Sequence, residues 1–171
     1  AGIFNVGKNL ELTDTSGQYS LVELDLAERK LALLKLLKKI DGILVEHGLD
    51  YTAYYGTLLG CIRHSGFIPW ADDIDLAMHR ETYDKLKLVN WKDYGLDMHS
   101  PQVSANFPSA FAKISDPSYV FVESVQSGDI ASGLNIDIFP LDAVSGSSLE
   151  FRIRLVRILS RMLIFKVVKD D

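Results

Sequence analysis

The chain has 171 residues, which suits one compact domain with a sizeable core, and its 47% hydrophobic and 24% charged content is ordinary for a globular protein. A formal charge of -5 excludes general nucleic-acid binding, which needs a basic face, while leaving room for a local basic pocket. The single cysteine, Cys61, excludes an internal disulfide and a cysteine-based zinc cluster, and it fits a reducing, cytoplasmic setting.

Residues 1–24 mix Gly, Asn, Thr, Ser and Asp and read as an irregular lead-in, without the basic and long apolar stretches of a signal peptide. The first residue is Ala1 rather than Met, as in a processed chain. Asp25 and Glu28 have capping-box spacing, after which Leu26, Leu33, Leu36, Leu37, Ile40, Ile43 and Leu44 recur at helical spacing. Gly48 suits the position just past a helix, so a packing helix is expected over 25–47, with Lys35, Lys38 and Lys39 on its wet side. Residues 50–55 are aromatic and β-prone, and Gly56 ends that run where strand passes into helix. Thr57 to His64 is expected as a short helix, 65–69 as a loop, Asp73 to Met78 as a strand and Arg80 to Val89 as a helix. Apolar runs at 109–114, 119–123 and 134–139 predict further strands. The order makes an α/β or α+β domain with a mixed sheet, its core over 25–147.

The segment 148–171 carries a last helical pattern at 148–168, with Arg154, Arg157 and Arg161 on one face. Amphipathic helices are usually core elements, which favours packing over an interfacial basic helix at a membrane. The chain ends directly after it, so a partner element is expected to be missing. No apolar run reaches the roughly 18–20 residues of a membrane span.

Chemistry concentrates in two places. Asp73 and Asp75 flank Ile74, and in a strand alternate side chains share a face, so both carboxylates point one way while Ile74 and Leu76 enter the core. Two like charges on one face repel unless a cation sits between them, and hard oxygen ligands suit Mg²⁺ or Mn²⁺. Asp137 lies between Ile136 and Ile138; with the isoleucines inward it faces out with Asn135 and Phe139. An Asp inside a strand is disfavoured, and a metal shared with Asp73 and Asp75 gives a reason for it. The alternative is a solvated acid at a sheet edge. Gly56 and Thr57 open a helix whose free N–H groups attract phosphate, although the Thr57 hydroxyl also suits a cap. Arg63 is placed to clamp phosphate oxygens, and His64 is a weaker candidate for phosphate or proton transfer.

These residues resemble the LicD family, which includes bacterial phosphocholine transferases and is similar to the fukutin-type phosphotransferases. The resemblance rests on Gly56-Thr57-Leu58-Leu59-Gly60, Arg63-His64, Gly66-Phe67-Ile68-Pro69-Trp70, Asp72-Asp73-Ile74-Asp75, Ala112-Lys113-Ile114-Ser115-Asp116 with Glu123, and Ile136 to Asp142, across roughly 25–142. It implies an α+β, nucleotidyltransferase-like fold of the polymerase-beta type, a mixed sheet flanked by helices. It implies that Gly56 and Thr57 bind phosphate and that Asp73, Asp75 and Asp137 hold Mg²⁺ or Mn²⁺. The implied reaction transfers a phosphorylated substituent, such as phosphocholine from a CDP-linked donor, to a glycan acceptor of the teichoic acid or lipopolysaccharide kind. That places it in the cytoplasm, at the inner face of the membrane where the acceptor is lipid-linked. Lys113 joins Arg63 in stabilising pyrophosphate charge, Asp137 serves as base if one metal binds, and Trp70 shapes the pocket wall or stacks a base or choline. Two alternatives remain: nucleotidyl transfer on the same fold, and a non-catalytic nucleotide- or glycan-binding module. Ala71 replaces a frequent family Asp, which leaves Asp72 facing away from the pair, and Cys61 is expected as a buried small hydrophobe.

Overall fold

A computed structural model of the chain describes residues 2–6, 21–104, 107, 109–122 and 133–143. The elements are β1 (Gly2–Val6), β2 (Leu21–Glu23), α1 (Leu26–Glu46), β3 (Thr52–Ala53), α2 (Tyr55–His64), β4 (Asp75–His79), α3 (Arg80–Tyr83), β5 (Asp97–His99), β6 (Ala112–Asp116), β7 (Tyr119–Val122) and β8 (Leu134–Leu141). They belong to a unit spanning Ala1–Leu141. A second unit, Asp142–Asp171, lies almost wholly outside the described residues, and the helix expected over 148–168 lies with it.

α1 follows its sequence signals closely. The Asp25 carboxylate accepts from the Glu28 N–H at 2.8 Å, and the Glu28 carboxylate accepts from the Asp25 N–H at 3.0 Å. At the other end the Leu49 N–H reaches the Leu44 carbonyl at 2.8 Å and the Gly48 N–H reaches Val45 at 3.1 Å. This paired closure needs a left-handed residue, and Gly48 supplies it with φ 63°. Asp25→Ala is expected to cost about 1 kcal/mol, lowering Tm by about 3 °C in a thermal melt, because the Glu28 N–H loses its side-chain acceptor.

The buried face of α1 (Leu33, Leu36, Ile40, Ile43 and Leu44) packs with Ile74, Leu76, Met78, Ile114, Ile136 and Ile138 in one core. Each such side chain contributes about 1.5–3 kcal/mol when fully buried. The partners come from a five-stranded sheet of order β3-β4-β8-β6-β5, in which β4 and β8 are parallel and the other neighbours antiparallel. The mixed sheet with helices is thus observed. A separate three-stranded sheet has the order β2-β1-β7.

Three expectations are corrected. Residues 1–24 are not wholly irregular: Gly2–Val6 and Leu21–Glu23 are strands, because β1 pairs with β7, a partner distant in sequence. Arg80 to Val89 is not one helix. It stops at Tyr83 and resumes as a 3₁₀ turn at Leu86–Leu88, where the Trp91 indole N–H takes the Leu86 carbonyl at 2.9 Å, an acceptor that a continuing helix would use. β5 was not anticipated; its three residues are too few to show a period. Among the described residues, no helix is long and apolar enough to cross a membrane.

Candidate active site

β8 alternates as its sequence predicts. Leu134, Ile136 and Ile138 are buried, and Asn135, Asp137 and Phe139 share the opposite face. Parallel pairing sets Asp137 beside Asp75, and antiparallel pairing with β6 sets Lys113 on its other side. Asp73 is corrected in one respect: β4 begins at Asp75, so Asp73 lies in the approach to the strand. Ile74 still turns inward, 2% exposed, so Asp73 and Asp75 remain on the outer side.

The start of α2 fixes Asp75. The Tyr54 N–H donates to the Asp75 carbonyl at 3.0 Å, and the Asp75 N–H donates to the Thr57 hydroxyl at 2.8 Å. Thr57 therefore anchors the acidic strand rather than capping its helix, and its own hydroxyl proton stays available to a ligand oxygen. No side chain caps α2, so the N–H groups of its first turn, at Tyr55, Gly56 and Thr57, offer donors beside the carboxylates. The helix starts at Tyr55 rather than Thr57, and the left-handed residue at the junction is Tyr55, φ 39°, not Gly56. For a bulky side chain such a backbone costs about 1–3 kcal/mol, strain of the kind that gathers at functional sites.

Charge is crowded here. Partial burial and the Asp73 and Asp137 carboxylates push Asp75 up from 3.8 to about 6, with Lys113 pulling the other way. Burial also raises Asp137, although Lys113 and Asn135 oppose it; the Lys113 ammonium bonds both Asp137 oxygens at 2.7 and 2.9 Å, and the Asn135 amide adds a bond at 2.6 Å. A carboxyl with a raised folded pKa binds its proton more tightly in the folded state. Its contribution to stability is favourable at low pH and is lost as pH rises from about 4 to about 6. Metal-free Asp75→Asn is therefore expected to exceed wild type in stability by about 1 kcal/mol at pH 7.5, after discounting for solvent screening. The gap should close at pH 4, as urea unfolding in EDTA would report.

Three carboxylates near one lysine fit a hard divalent cation in their chemistry. Among the described residues, however, no three His, Cys, Asp or Glu side chains are gathered tightly enough to hold an ion as they stand. Lys113 holds the position facing Asp137, so a full carboxylate set requires Lys113 to withdraw.

The structure brings Asp73, Asp75, Asp137, Lys113, Gly56 and Thr57 to one place. An apolar cavity of about 80 Å³ opens beside them, lined by Thr57, Asp73, Phe67 and Leu37 among others. Arg63 and His64 fall in the last turn of α2, at the end away from Gly56 and Thr57. Trp70 stands 78% exposed in the loop. Asp72 turns away as expected and pairs with Arg29 at 2.8 Å. Cys61 is exposed rather than buried, a correction: it lines the same cavity, which leaves it open to solvent. What sequence reasoning missed is an aromatic group around Phe139, with Tyr54, Tyr55 and Phe111. The signal was present in the Tyr54-Tyr55 doublet before Gly56 and in Phe139 on the face of Asp137.

The family model described as LicD/FKTN/FKRP, nucleotidyltransferase domain, matches residues 48–152, which contain Gly56, Thr57, Asp73, Asp75, Lys113 and Asp137. The chain is 35% identical over 98 residues to the lipopolysaccharide cholinephosphotransferase LicD of Haemophilus influenzae, covering 55% of this chain and 37% of that protein. It is 37% identical over 54 residues to an uncharacterized protein of Rickettsia prowazekii, covering 32% of this chain and 20% of that protein. The chain thus spans well under half the length of these relatives. With the family model matching most of the chain across the acidic strands and the helix that anchors them, the chain belongs to the LicD family.

Proposed function

We propose that the domain is a metal-dependent transferase with a nucleotidyltransferase-like fold. In this reading it moves a phosphorylated substituent, phosphocholine or a close analogue, from a CDP-linked donor to a hydroxyl of a glycan acceptor. The observation that carries the reading is the parallel Asp75–Asp137 pair beside Asp73 and the uncapped start of α2. The cholinephosphotransferase activity by which the Haemophilus relative is named supports the choice of substituent.

In the proposed reaction the acceptor oxygen attacks the phosphorus of the substituent. A new P–O bond forms, the bond to the nucleoside monophosphate breaks, and that monophosphate leaves with the electron pair. Asp73, Asp75 and Asp137 would hold Mg²⁺ or Mn²⁺, which when bound supplies neutralisation of phosphate charge. The α2 amides and the Thr57 hydroxyl donate to donor phosphate oxygens. Lys113, once released from Asp137, reaches the same oxygens, and where a single ion is held by Asp73 and Asp75 the freed Asp137 carboxylate takes the acceptor proton. A cytoplasmic site, where nucleotide-linked donors are available, completes the proposal.

Nucleotidyl transfer is the second reading, favoured by the description of the matching family model. Incubation with CDP-choline, CDP-ethanolamine, CDP-ribitol and UDP-sugars, with Mg²⁺ and an acceptor glycan, separates the two by product mass. A product heavier by phosphocholine with release of CMP supports the proposal. A product carrying the nucleoside monophosphate replaces it, and binding without any turnover leaves a binding module.

A further inference from the structure

Four aromatic rings gather beside the carboxylates, from three separate segments. Phe139 is their centre: its ring lies 5.8 Å from Tyr54, 5.3 Å from Tyr55 and 4.3 Å from Phe111, centroid to centroid. The rings are not parallel. Tyr55 stands edge-on to Phe139 at 85°, Tyr54 is tilted by 45° to Phe139 and by 54° to Tyr55, and Phe111 is tilted by 34°. Tyr55 is 61% exposed, held there by its left-handed backbone. Its ring touches Tyr54 and Phe139 on one side and leaves the other to solvent, over a strained backbone.

We propose that this aromatic corner is a subsite for an organic cation, the quaternary ammonium head of the transferred substituent; the identity of that substituent rests on the function proposed above. Non-parallel rings present several π faces to one rounded onium, as aromatic cages for quaternary ammonium do. A flat nucleobase is better served by a single open face or a parallel pair. The cluster already takes one cation from its own chain, since the Lys113 ammonium sits 5.3 Å from the Phe111 centroid. Spacing agrees as well. Phe139 is two residues beyond Asp137 on the same face of β8, about 6.6 Å by the strand rise. A phosphate at Asp137 and an onium at Phe139 are thus separated by the reach of a two-carbon linker. Trp70, the aromatic that sequence alone suggested for this role, lies outside the cluster.

The test uses the full chain with Mg²⁺, choline chloride as probe, and 3,3-dimethylbutan-1-ol, its neutral carbon isostere, as control. Ring-proton NMR shifts of the tyrosines are expected to saturate with choline and not with the isostere. Tyr55→Leu and Phe139→Leu should weaken choline at least about fivefold, while Tyr55→Phe, which keeps the ring, should change it less than twofold. Tyr55 is exposed, so that variant remains informative if Phe139→Leu misfolds. Equal binding of the neutral isostere, unchanged affinity in both Leu variants, or displacement of choline by CMP from the Tyr55 ring would each overturn the proposal. Transfer from CDP-choline is read in parallel. Choline binding without transfer counts against the function, and transfer without ring-dependent choline binding counts against the subsite.

Discussion

Replacing Asp73 and Asp75 together by Asn is expected to abolish metal-dependent transfer, by about 10³-fold or more, while leaving the fold intact. Asp73 lies outside the strand and is exposed, and Asp75 is only half-buried, so neither carboxylate is needed for packing. Removing two of three negative charges relieves repulsion, and the metal-free variant should melt no lower than wild type. The combination of lost activity with retained stability marks residues kept for chemistry at the expense of the fold. Titration of Mg²⁺ or Mn²⁺ by calorimetry checks the cause independently of turnover. If wild type and the double variant take up the ion equally, the carboxylates are not its ligands.

Gly60→Ala should be strongly damaging although it adds a single methyl to a helix. A Cβ at Gly60 would run into the Gly66 carbonyl oxygen and come within 3.1 Å of the Ile68 amide nitrogen. Both obstacles are backbone, so no side-chain rotation relieves them. The gain in helix propensity from Gly to Ala, about 1 kcal/mol, is outweighed by overpacking. A net loss of about 2 kcal/mol is expected, lowering Tm by about 6 °C. Because Gly66 to Ile68 lead into Asp73, activity should fall more steeply than stability. An unchanged melt would show that α2 and this loop slide apart freely.

The parts of the molecule that were legible in the sequence are those whose signals are local and redundant. α1 announced itself through its capping box, its apolar period and Gly48, and each signal appears in the structure. β8 showed its two faces because eight residues give enough alternation to see. Asp75 and Asp137 were legible for the same reason, as charge placed on strand faces, whereas Asp73 falls just before its strand. The failures have other causes. The strand β1 depends on β7, a partner that composition near Ile3 and Phe4 does not reveal. The break after Tyr83 is a local tightening, with the Lys85 N–H turning back to the Thr82 carbonyl, that the apolar pattern of the segment does not show. Gly56 was expected to end the strand, yet the turn into α2 comes one residue earlier, at Tyr55 with φ 39°, because the surrounding contacts override local preference. Lys113 could be placed in the family's middle segment, but its bond to Asp137 follows from strand order alone.

Parallel pairing of β4 and β8 ties the reaction centre to the folding route. β5, β6 and β7 all lie between the two strands in sequence, so Asp75 and Asp137 meet only after a long segment has closed on itself. Contacts of that separation are slow to form, because the chain entropy is lost before the contact rewards it. At this junction the reward is reduced further by two acids arriving side by side. Lys113 comes in on β6, a neighbour of β8 both in space and nearer to it along the chain, and gives Asp137 its counter-charge in the same closure. The lysine thus offsets the repulsion that this closure brings, and Lys113→Met is expected to slow folding as well as to change the site.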